Sequence, residues 1–205
     1  MIGVVNLGNS NLKSLTNSLD YLKIEYIIIS KAEEFKNIYK IILPGVGTFG
    51  NAMEKLKQLG LIDIIFKEVS VNKKPILGIC LGMQLLFETS TETANIKGLS
   101  LLEGKVISLP KSKDYNIPRI GWAESYIKDD FLGLKKDKVV DFYYIHSFYV
   151  KTKHNNIVSI ITDEEITAAV HYKNIYGCQF HPEKSYIHGL NILKSFSELE
   201  IEEDS

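Results

Sequence analysis

The feature of this chain that most constrains its fold is a cysteine set between two glycines, directly after an apolar run. Pro75-Ile76-Leu77 leads into Gly78-Ile79-Cys80-Leu81-Gly82-Met83-Gln84. A buried strand that ends at Cys80 and turns at once into a helix projects the sulfur from a sharp bend, and only glycine fits the two crowded flanking positions. Gly78 and Gly82 occupy both positions, so the segment predicts a strand-to-helix elbow that presents a nucleophile.

Two further effects favour a reactive sulfur at Cys80. The positive end of a helix that begins near Leu81 favours thiolate over thiol. The backbone N–H of Leu81 points at the oxyanion that forms when the thiolate attacks a carbonyl. The alternative is a buried structural cysteine, because a free cysteine often behaves as a small core hydrophobe. The pattern alone leaves both interpretations open.

Composition restricts the class of protein. With 205 residues, of which 45% are hydrophobic and 24% charged, the chain is expected to form one globular domain over residues 1–205. A net charge of −1 and the lack of a basic cluster argue against nucleic-acid binding. No signal-like N-terminus and no apolar run near about 18 residues is present, so we expect no membrane association and a cytoplasmic protein. Cys80 and Cys178 are predicted to be free thiols.

The first half of the chain alternates short β-rich runs with amphipathic segments. Buried strands are predicted at 2–6, 26–29, 41–43 and 75–79. Helices are predicted at 49–56 and 62–69, and also where Leu12, Leu15, Leu19 and Leu22 share one face behind Ser10 as a cap. This alternation predicts an α/β fold with a central, mostly parallel sheet and helices on both faces.

The second half is predicted to add antiparallel strands to the same sheet. The predicted strands are closely spaced and lie at 106–109, 142–150, 157–162, 167–172 and 175–180. A last helix is predicted at 187–199, with Leu190, Leu193 and Phe196 packed inward.

His181-Pro182-Glu183 follows the last predicted strand and offers the base that a thiolate mechanism needs. In extended backbone, residues two apart face the same way, so the Glu183 carboxylate can orient the His181 imidazole toward the cysteine proton. Strands that end at Cys80 and His181 would both finish at the carboxyl edge of the sheet, where such sites form. A structural histidine and a metal site with a third ligand are the alternatives, although no local metal-ligand spacing is present.

Two more segments fit the same site. Pro44-Gly45-Val46-Gly47 follows a strand and can supply a second oxyanion N–H, because glycine lets the peptide flip. The alternative for this loop is an ordinary strand-to-helix turn. Gln84 lies one turn beyond Cys80, where it can hydrogen-bond a polar substrate or be an exposed helix residue.

Four ordered motifs together resemble the class I, or triad, glutamine amidotransferases. They are Pro44-Gly45-Val46-Gly47, Gly78-Ile79-Cys80-Leu81-Gly82-Met83-Gln84, His146-Ser147-Phe148-Tyr149-Val150 and Phe180-His181-Pro182-Glu183-Lys184-Ser185. The resemblance extends from Gly8 to Gly189-Leu190. Within that family, the residues of these motifs are most similar to those of the glutaminase subunits of imidazole glycerol phosphate synthase.

The resemblance implies the class I amidotransferase fold and hydrolysis of L-glutamine to glutamate and ammonia, with no cofactor and no metal. Cys80 would form a γ-glutamyl thioester, His181 would shuttle protons, and Glu183 would orient His181. The implied oxyanion hole is made by Val46, Gly47 and Leu81. The implied glutamine-binding residues are Gly47, Gln84, Ser147 and Phe148.

The resemblance further implies a heterodimer with a synthase subunit of (β/α)8-barrel fold. This partner would use the ammonia in histidine biosynthesis, where a phosphoribulosyl-formimino nucleotide becomes imidazole glycerol phosphate and an aminoimidazole carboxamide nucleotide. The residues implied to face the partner are Asn11, Arg119, Trp122 and Lys184.

The chain differs from the residues usual in the family at Asn6-Leu7, Ser10, Phe148 and 119–123. None of these touches Cys80, His181 or Glu183, but 119–123 falls where the resemblance places the partner. A related subunit that supplies ammonia for amidation of a surface-glycan sugar is therefore an open alternative. A non-catalytic binding module of the same fold, and a hydrolase or isomerase with a cysteine elbow, are alternatives of other classes.

Overall fold

A computed structural model describes residues 1–8, 12–113, 115–154, 157–162 and 165–200. The predictions that concern Ser10 and Asn11 fall outside these residues. The strands are β1 Ile2–Val5, β2 Tyr26–Ile29, β3 Lys40–Gly45, β4 Ile76–Cys80, β5 Thr89–Ser90, β6 Lys105–Ser108, β7 Arg119–Ile127, β8 Val139–His146, β9 Phe148–Lys151, β10 Val158–Thr162, β11 Thr167–Tyr172 and β12 Ile175–Cys178.

The helices are α1 Leu12–Tyr21, α2 Phe49–Gln58, α3 Leu61–Phe66, α4 Leu81–Leu85 and α5 Tyr186–Glu198. A π turn, Lys67–Val71, extends α3, and short 3-10 turns lie at Ala32–Asn37 and Pro182–Lys184. None of the helices in the described part of the chain combines the length and apolar character needed to cross a bilayer.

The central sheet of the described residues has nine strands in the order β2-β1-β3-β4-β12-β11-β10-β7-β8. The first five strands of this order run parallel, and the remaining neighbours pair antiparallel. The predicted α/β fold, with a parallel half and antiparallel additions, is confirmed. Parallel strands need covered faces, and helices provide this cover on both sides.

The core lies on both faces of the sheet. On one face, Leu56 of α2 and Ile65 of α3 belong to one buried cluster. On the other face, Leu15 and Leu19 of α1 pack in a second cluster with the buried side of α5. That side of α5 is formed by Ile192, Leu193 and Phe196, whereas the predicted inward residue Leu190 is only half-buried.

The prediction of a single strand over 142–150 is wrong. The chain breaks at Ser147, so that β8 belongs to the central sheet and β9 to a second sheet with the order β5-β6-β9. The run 106–109, predicted to join the central sheet, contributes β6 to this second sheet instead. Phe142 and Tyr144 before the break and Val150 after it are buried, whereas residues 147–149 are all half-buried. Apolar and aromatic residues lie on both sides of Ser147, so the sequence gives no sign of the break.

The longest strand, β7, was not predicted. Its buried positions include Arg119 and Ser125, while Ile120 and Trp122 are exposed. Only one inward residue of β7, Ile127, is large and apolar, whereas Ile120, Trp122 and Tyr126 face outward. The strand therefore lacks the apolar alternation that marks a half-buried strand.

Candidate active site

Cys80 lies at a strained turn between β4 and α4. Its backbone has φ +55° and ψ −112°, a conformation rare for residues other than glycine. A Cβ at Gly78 would lie 2.7 Å from the backbone of Gly82 and Met83, and one at Gly82 would lie 1.7 Å from the carbonyl oxygen of Leu43. Glycine is therefore required on both sides of the elbow, as the sequence pattern predicts.

The helix after the elbow is shorter than the pattern suggests. α4 spans only Leu81–Leu85, because the N–H groups of Leu86 and Phe87 bond to carbonyls three residues back and close a tighter turn. The dipole of so short a helix is small, so the sulfur depends mainly on its side-chain neighbours.

The two cysteines have different surroundings. The Cys80 sulfur lies 3.5 Å from the carbonyl oxygen of Ile145 and 3.6 Å from Nε2 of Gln179. Cys178 is fully buried, and burial, with smaller contributions from the negative charges of Glu183 and Cys80, raises the pKa of its thiol well above the usual range. Both cysteines are free, as predicted, and Cys80 lines a cavity whereas Cys178 is enclosed in the core.

His181 and Glu183 form a buried pair. Nδ1 of His181 lies 2.8 Å from Oε1 of Glu183, and each side chain is 6% exposed. The predicted extended arrangement is wrong, because Glu183 lies in the 3-10 turn Pro182–Lys184 that follows the histidine. The proline pre-sets the first residue of this turn, which brings the carboxylate back under the imidazole.

Surrounding contacts hold this turn in place. The backbone N–H of His181 donates to the carbonyl of Tyr143 in β8, and the Ser185 hydroxyl donates to the carbonyl of His181 at 2.7 Å. A Cβ at Gly189 of α5 would lie 1.9 Å from the carbonyl oxygen of Pro182. The glycine thus allows α5 to pack directly against the turn.

The charge state of His181 follows from its two neighbours. Burial lowers the pKa of the imidazole, but the hydrogen bonds and charges of Cys80 and Glu183 outweigh it and raise the pKa to about 10. At neutral pH the side chain is an imidazolium next to the sulfur. A protonated imidazole in this position stabilises a thiolate and can donate a proton to a leaving group.

A cavity of about 240 Å³ opens beside the Cys80 sulfur. It brings together most of the site residues predicted from the sequence, which are Val46, Gly47, Cys80, Leu81, Gln84, Ser147, Phe148, His181 and Lys184. Glu183 lies behind His181 and does not line it. The arrangement has the parts of an acyl-transfer site: a nucleophile, a base, an orienting carboxylate and backbone N–H groups nearby.

Comparison with known proteins decides the family. The family model described as "Glutamine amidotransferase class-I" matches residues 3–198. The chain belongs to the class I glutamine amidotransferases.

Curated relatives of this amidotransferase match it over nearly its whole length. A protein of Caldanaerobacter subterraneus subsp. tengcongensis described as imidazole glycerol phosphate synthase subunit HisH is 42% identical over 203 residues, with 97% of this chain and 98% of the relative covered. A protein of Methanococcus maripaludis described as imidazole glycerol phosphate synthase subunit HisH 2 is 39% identical, with 96% and 98% covered.

Solved structures share the fold. A crystal structure described as glutamine amidotransferase has a TM-score of 0.77 at 18% identity and covers 96% of this chain and 97% of its own. A chain of PurLQS from Thermotoga maritima has a TM-score of 0.76 at 19% identity, with 95% and 96% covered. The predicted class I amidotransferase fold is confirmed.

The loop after β3 borders the amidotransferase cavity with open backbone. Gly47 has φ +100° and no atom within 4 Å of a would-be Cβ, and Val46 is 38% exposed. By contrast, Gly45 is held against the elbow, since its would-be Cβ lies 3.0 Å from the backbone nitrogen of Gly82. The loop therefore has one end fixed at the elbow and one end free to reorient.

Gln84 is buried, so its interpretation as an exposed helix residue is wrong. Its side-chain nitrogen donates to the carbonyl oxygen of Phe148 and to Oε1 of Gln179, both at 3.0 Å. Both amide hydrogens are thus used within the protein. Only the Gln84 amide oxygen remains to accept a hydrogen bond from a ligand.

Glu92 lines the cavity and was missed in the sequence. One of its carboxylate oxygens accepts a 2.7 Å hydrogen bond from the backbone nitrogen of Phe49, the first residue of α2. The residue lies in the loop after β5, far in sequence from the other site residues. An isolated acidic residue in a loop carries no pattern that marks it.

His146 also lines the cavity, although the sequence marked it only as part of a motif. Nδ1 lies 2.9 Å from the carbonyl oxygen of Phe148 and must be the donor, so Nε2 carries the lone pair. Burial, aided by the positive charges of Arg119 and His181, lowers the pKa of His146 to about 4. Among the residues that the structure describes, none forms a hydrogen bond with the buried Nε2. The imidazole is therefore a neutral acceptor.

The residues predicted to face a partner differ in exposure. Arg119 is only 7% exposed, with its guanidinium 4.9 Å from the ring centroid of Tyr115. Trp122 is 45% exposed and stacks on Tyr186 at 4.9 Å between ring centroids. Arg119 and Trp122 line a second cavity that shares Pro118 with the first. Their role in partner binding stays a prediction.

Proposed function

We propose that this chain is the glutaminase subunit of an imidazole glycerol phosphate synthase. It hydrolyses L-glutamine to glutamate and ammonia without a cofactor, and it passes the ammonia to a synthase subunit of (β/α)8-barrel fold in the cytoplasm. The observation that carries the proposal is the buried pair of His181 and Glu183, joined at 2.8 Å, with His181 and Cys80 lining the same cavity.

The first half-reaction transfers the acyl group to the protein. The Cys80 thiolate attacks the side-chain amide carbon of glutamine, and the N–H of Leu81 and the loop of Val46 and Gly47 hold the resulting oxyanion. The His181 imidazolium gives its proton to the amide nitrogen. The C–N bond breaks, ammonia leaves, and a γ-glutamyl thioester remains on Cys80.

The second half-reaction restores the site. Neutral His181 takes a proton from water, whose oxygen attacks the thioester carbonyl. The C–S bond then breaks, so that glutamate leaves and the thiolate again faces an imidazolium. Glu183 keeps the imidazole in place through both steps, because its carboxylate accepts the Nδ1 hydrogen bond.

The charges of the cavity suit an amino-acid substrate. Glu92 offers a carboxylate to the α-ammonium group of glutamine, and Lys184 offers an ammonium to its α-carboxylate. The amide oxygen of Gln84 and the segment of Ser147 and Phe148 complete the set of polar groups. This pairing of opposite charges favours glutamine over uncharged amides.

Covalent labelling tests the nucleophile. The glutamine-like electrophile diazo-oxo-norleucine should modify one thiol, Cys80, and peptide mass spectrometry locates the adduct. Cys80→Ala should lower glutaminase activity by several orders of magnitude, as removal of a covalent nucleophile does. Cys178→Ala is the control and should leave activity close to that of the parent protein. An adduct on Cys178, or full activity in Cys80→Ala, would exclude the assignment.

Reconstitution tests the ammonia acceptor, for which the identity of 42% to a subunit of imidazole glycerol phosphate synthase is the support. With the synthase subunit, the complex should form imidazole glycerol phosphate from either glutamine or an ammonium salt. The Cys80→Ala complex should retain only the reaction driven by ammonium.

Genetics separates the two candidate pathways. Deletion of the gene should make the cell require histidine. Growth without histidine, together with loss of an amidino-modified surface sugar, would instead support the sugar-amidation alternative.

A further inference from the structure

We propose that Gln179 donates a hydrogen bond to the Cys80 sulfur and that Gln84 fixes the orientation of this donor. The inference rests on the proposed function in that Cys80 is the nucleophile there. It adds to the site a residue that no motif of the sequence marked. Gln179 lies directly after β12, and its side chain is fully buried.

The donor assignment follows from a backbone carbonyl that can only accept. The Phe148 carbonyl oxygen lies 3.0 Å from the Gln84 side-chain amide, so the atom of Gln84 that faces it must be the nitrogen. The same nitrogen lies 3.0 Å from the Gln179 side chain, which must therefore present its oxygen. The remaining end of the Gln179 amide is the nitrogen, and it lies 3.6 Å from the Cys80 sulfur.

Burial makes this chain of hydrogen bonds significant. Gln179 is 0% exposed and Gln84 is 5% exposed, so neither amide can exchange its partner for bulk water. Reversal of the Gln179 amide would bring two N–H groups together at Gln84 and would place an amide oxygen against the sulfur, which as a thiolate can only accept. Buried polar groups rarely remain so mismatched, because each lost hydrogen bond destabilises the fold.

The backbone also holds Gln179 in place. Its N–H donates to the carbonyl of Ala168 in β11 at 2.8 Å. The Phe148 carbonyl at the other end of the chain accepts a second hydrogen bond, from Nδ1 of His146. Backbone hydrogen bonds at Gln179 and at Phe148 thus hold the amide nitrogen of Gln179 next to the Cys80 sulfur.

The expected consequence concerns the thiolate. An N–H donor stabilises a negatively charged sulfur more than a neutral thiol, because charge-assisted hydrogen bonds are the stronger ones. His181 carries its charge for only part of the cycle, because it gives up a proton when ammonia leaves and regains one from water. Gln179 supplies a neutral donor that remains throughout, and it supports the sulfur beside the charged His181 when the thioester breaks.

The test measures how fast iodoacetamide alkylates Cys80 as a function of pH. All proteins carry Cys178→Ala, so that only one thiol is present, and Gln179→Met removes the donor at similar volume. We expect the midpoint of the pH profile to rise by roughly one pH unit, a tenfold loss of thiolate at a given pH. Urea denaturation of the same variants reports any loss of packing separately.

A second variant covers the case in which Gln179→Met does not fold. Gln84→Met leaves Gln179 in place but removes the group that orients it, and should raise the midpoint in the same direction by a smaller amount. An unchanged midpoint in either folded variant would overturn the proposal, even if stability or activity fell.

The rate of Cys80 alkylation can be measured whether or not the proposed function is correct. Alkylation needs no glutamine, so a parent protein without glutaminase activity would contradict the proposed function. A raised alkylation midpoint in Gln179→Met would still support the hydrogen bond.

Discussion

Gly82 lies directly against the carbonyl group of Leu43, with no room for a side-chain carbon between them. A Cβ at position 82 would lie 1.7 Å from the carbonyl oxygen, so α4 would have to move away from β3. We expect Gly82→Ala to lower the free energy of unfolding by about 3 kcal/mol or more. Urea denaturation measures this loss. Gly60→Ala is the control, since Gly60 has φ +66° and open space and should lose only about 1–2 kcal/mol. Equal losses in both variants would contradict the close approach.

Substitution of Gly47 should affect catalysis more than stability. Its φ of +100° is costly for alanine, but no atom lies within 4 Å of the added carbon. If the loop supplies an oxyanion donor, Gly47→Ala should lower kcat on the order of a hundredfold. Steady-state glutaminase assays with the partner subunit measure this. Gly60→Ala also places an alanine at positive φ but at a position that does not line the cavity, and it should keep its kcat. A normal kcat in Gly47→Ala would remove the loop from the mechanism.

The low pKa of His146 predicts a loss of stability in acid. The folded protein holds this pKa at about 4 against an ordinary value of 6.5, so between these values the unfolded chain binds a proton that the folded one does not. Stability should therefore fall as the pH drops from 6.5 to 4, by about 3 kcal/mol from this group. Urea denaturation across this range should show a smaller fall in His146→Gln. The control His188→Gln, at an exposed position of α5, should retain the full fall.

The raised pKa of His181 predicts that its imidazole stays protonated well above neutral pH. Because the pKa is about 10, the NMR signals of this ring should not titrate between pH 6 and 8. Cys80→Ala should lower the midpoint, since the hydrogen bond and charge of Cys80 are the largest effects that raise the pKa. A titration of His181 near 6.5 in the unaltered protein would be incompatible with the charge state described above.

Trp122 should contribute to partner binding. It is 45% exposed on β7 and stacks on Tyr186, which is 77% exposed. If the synthase subunit covers the exposed indole, Trp122→Ala should weaken its binding by about 2 kcal/mol, as truncation of an aromatic residue at the centre of an interface does. Calorimetric titration measures the affinity. Tyr21→Ala is the control, because Tyr21 is 75% exposed at the end of α1 away from the cavity. Equal affinities for both variants would place the interface elsewhere.

The sequence predicts the parallel half of the fold well, because local pattern and long-range packing agree there. β2 begins and ends where its apolar run does, and the glycines around Cys80 reflect contacts so close that no other residue fits. The antiparallel half is harder. β7 buries Arg119 and Ser125 and exposes Ile120 and Trp122, and the break at Ser147 lies between segments that are both rich in apolar and aromatic residues. Neither feature can be recognised from the periodicity of hydrophobic residues in the sequence.

The residues of the site also fall into two groups, those that the sequence predicts and those that it does not. Cys80 and His181 carry local signatures, since the chemistry of each depends on the turn that bears it. Glu92 and Gln179 do not, because their positions depend on strands and loops distant in sequence. The pairing of Glu183 with His181 was predicted from their spacing of two residues. A 3-10 turn, rather than extended backbone, brings the carboxylate to the imidazole.

The order of strands in the central sheet has a consequence for how such subunits diversify. The groups that perform the chemistry follow β3, β4 and β12, which are adjacent in the middle of the sheet, whereas Trp122 lies on β7, next to the edge strand β8. After a gene duplication, substitutions at the exposed positions of β7 can redirect one copy to a new ammonia acceptor while the residues that follow β3, β4 and β12 keep its glutaminase chemistry intact.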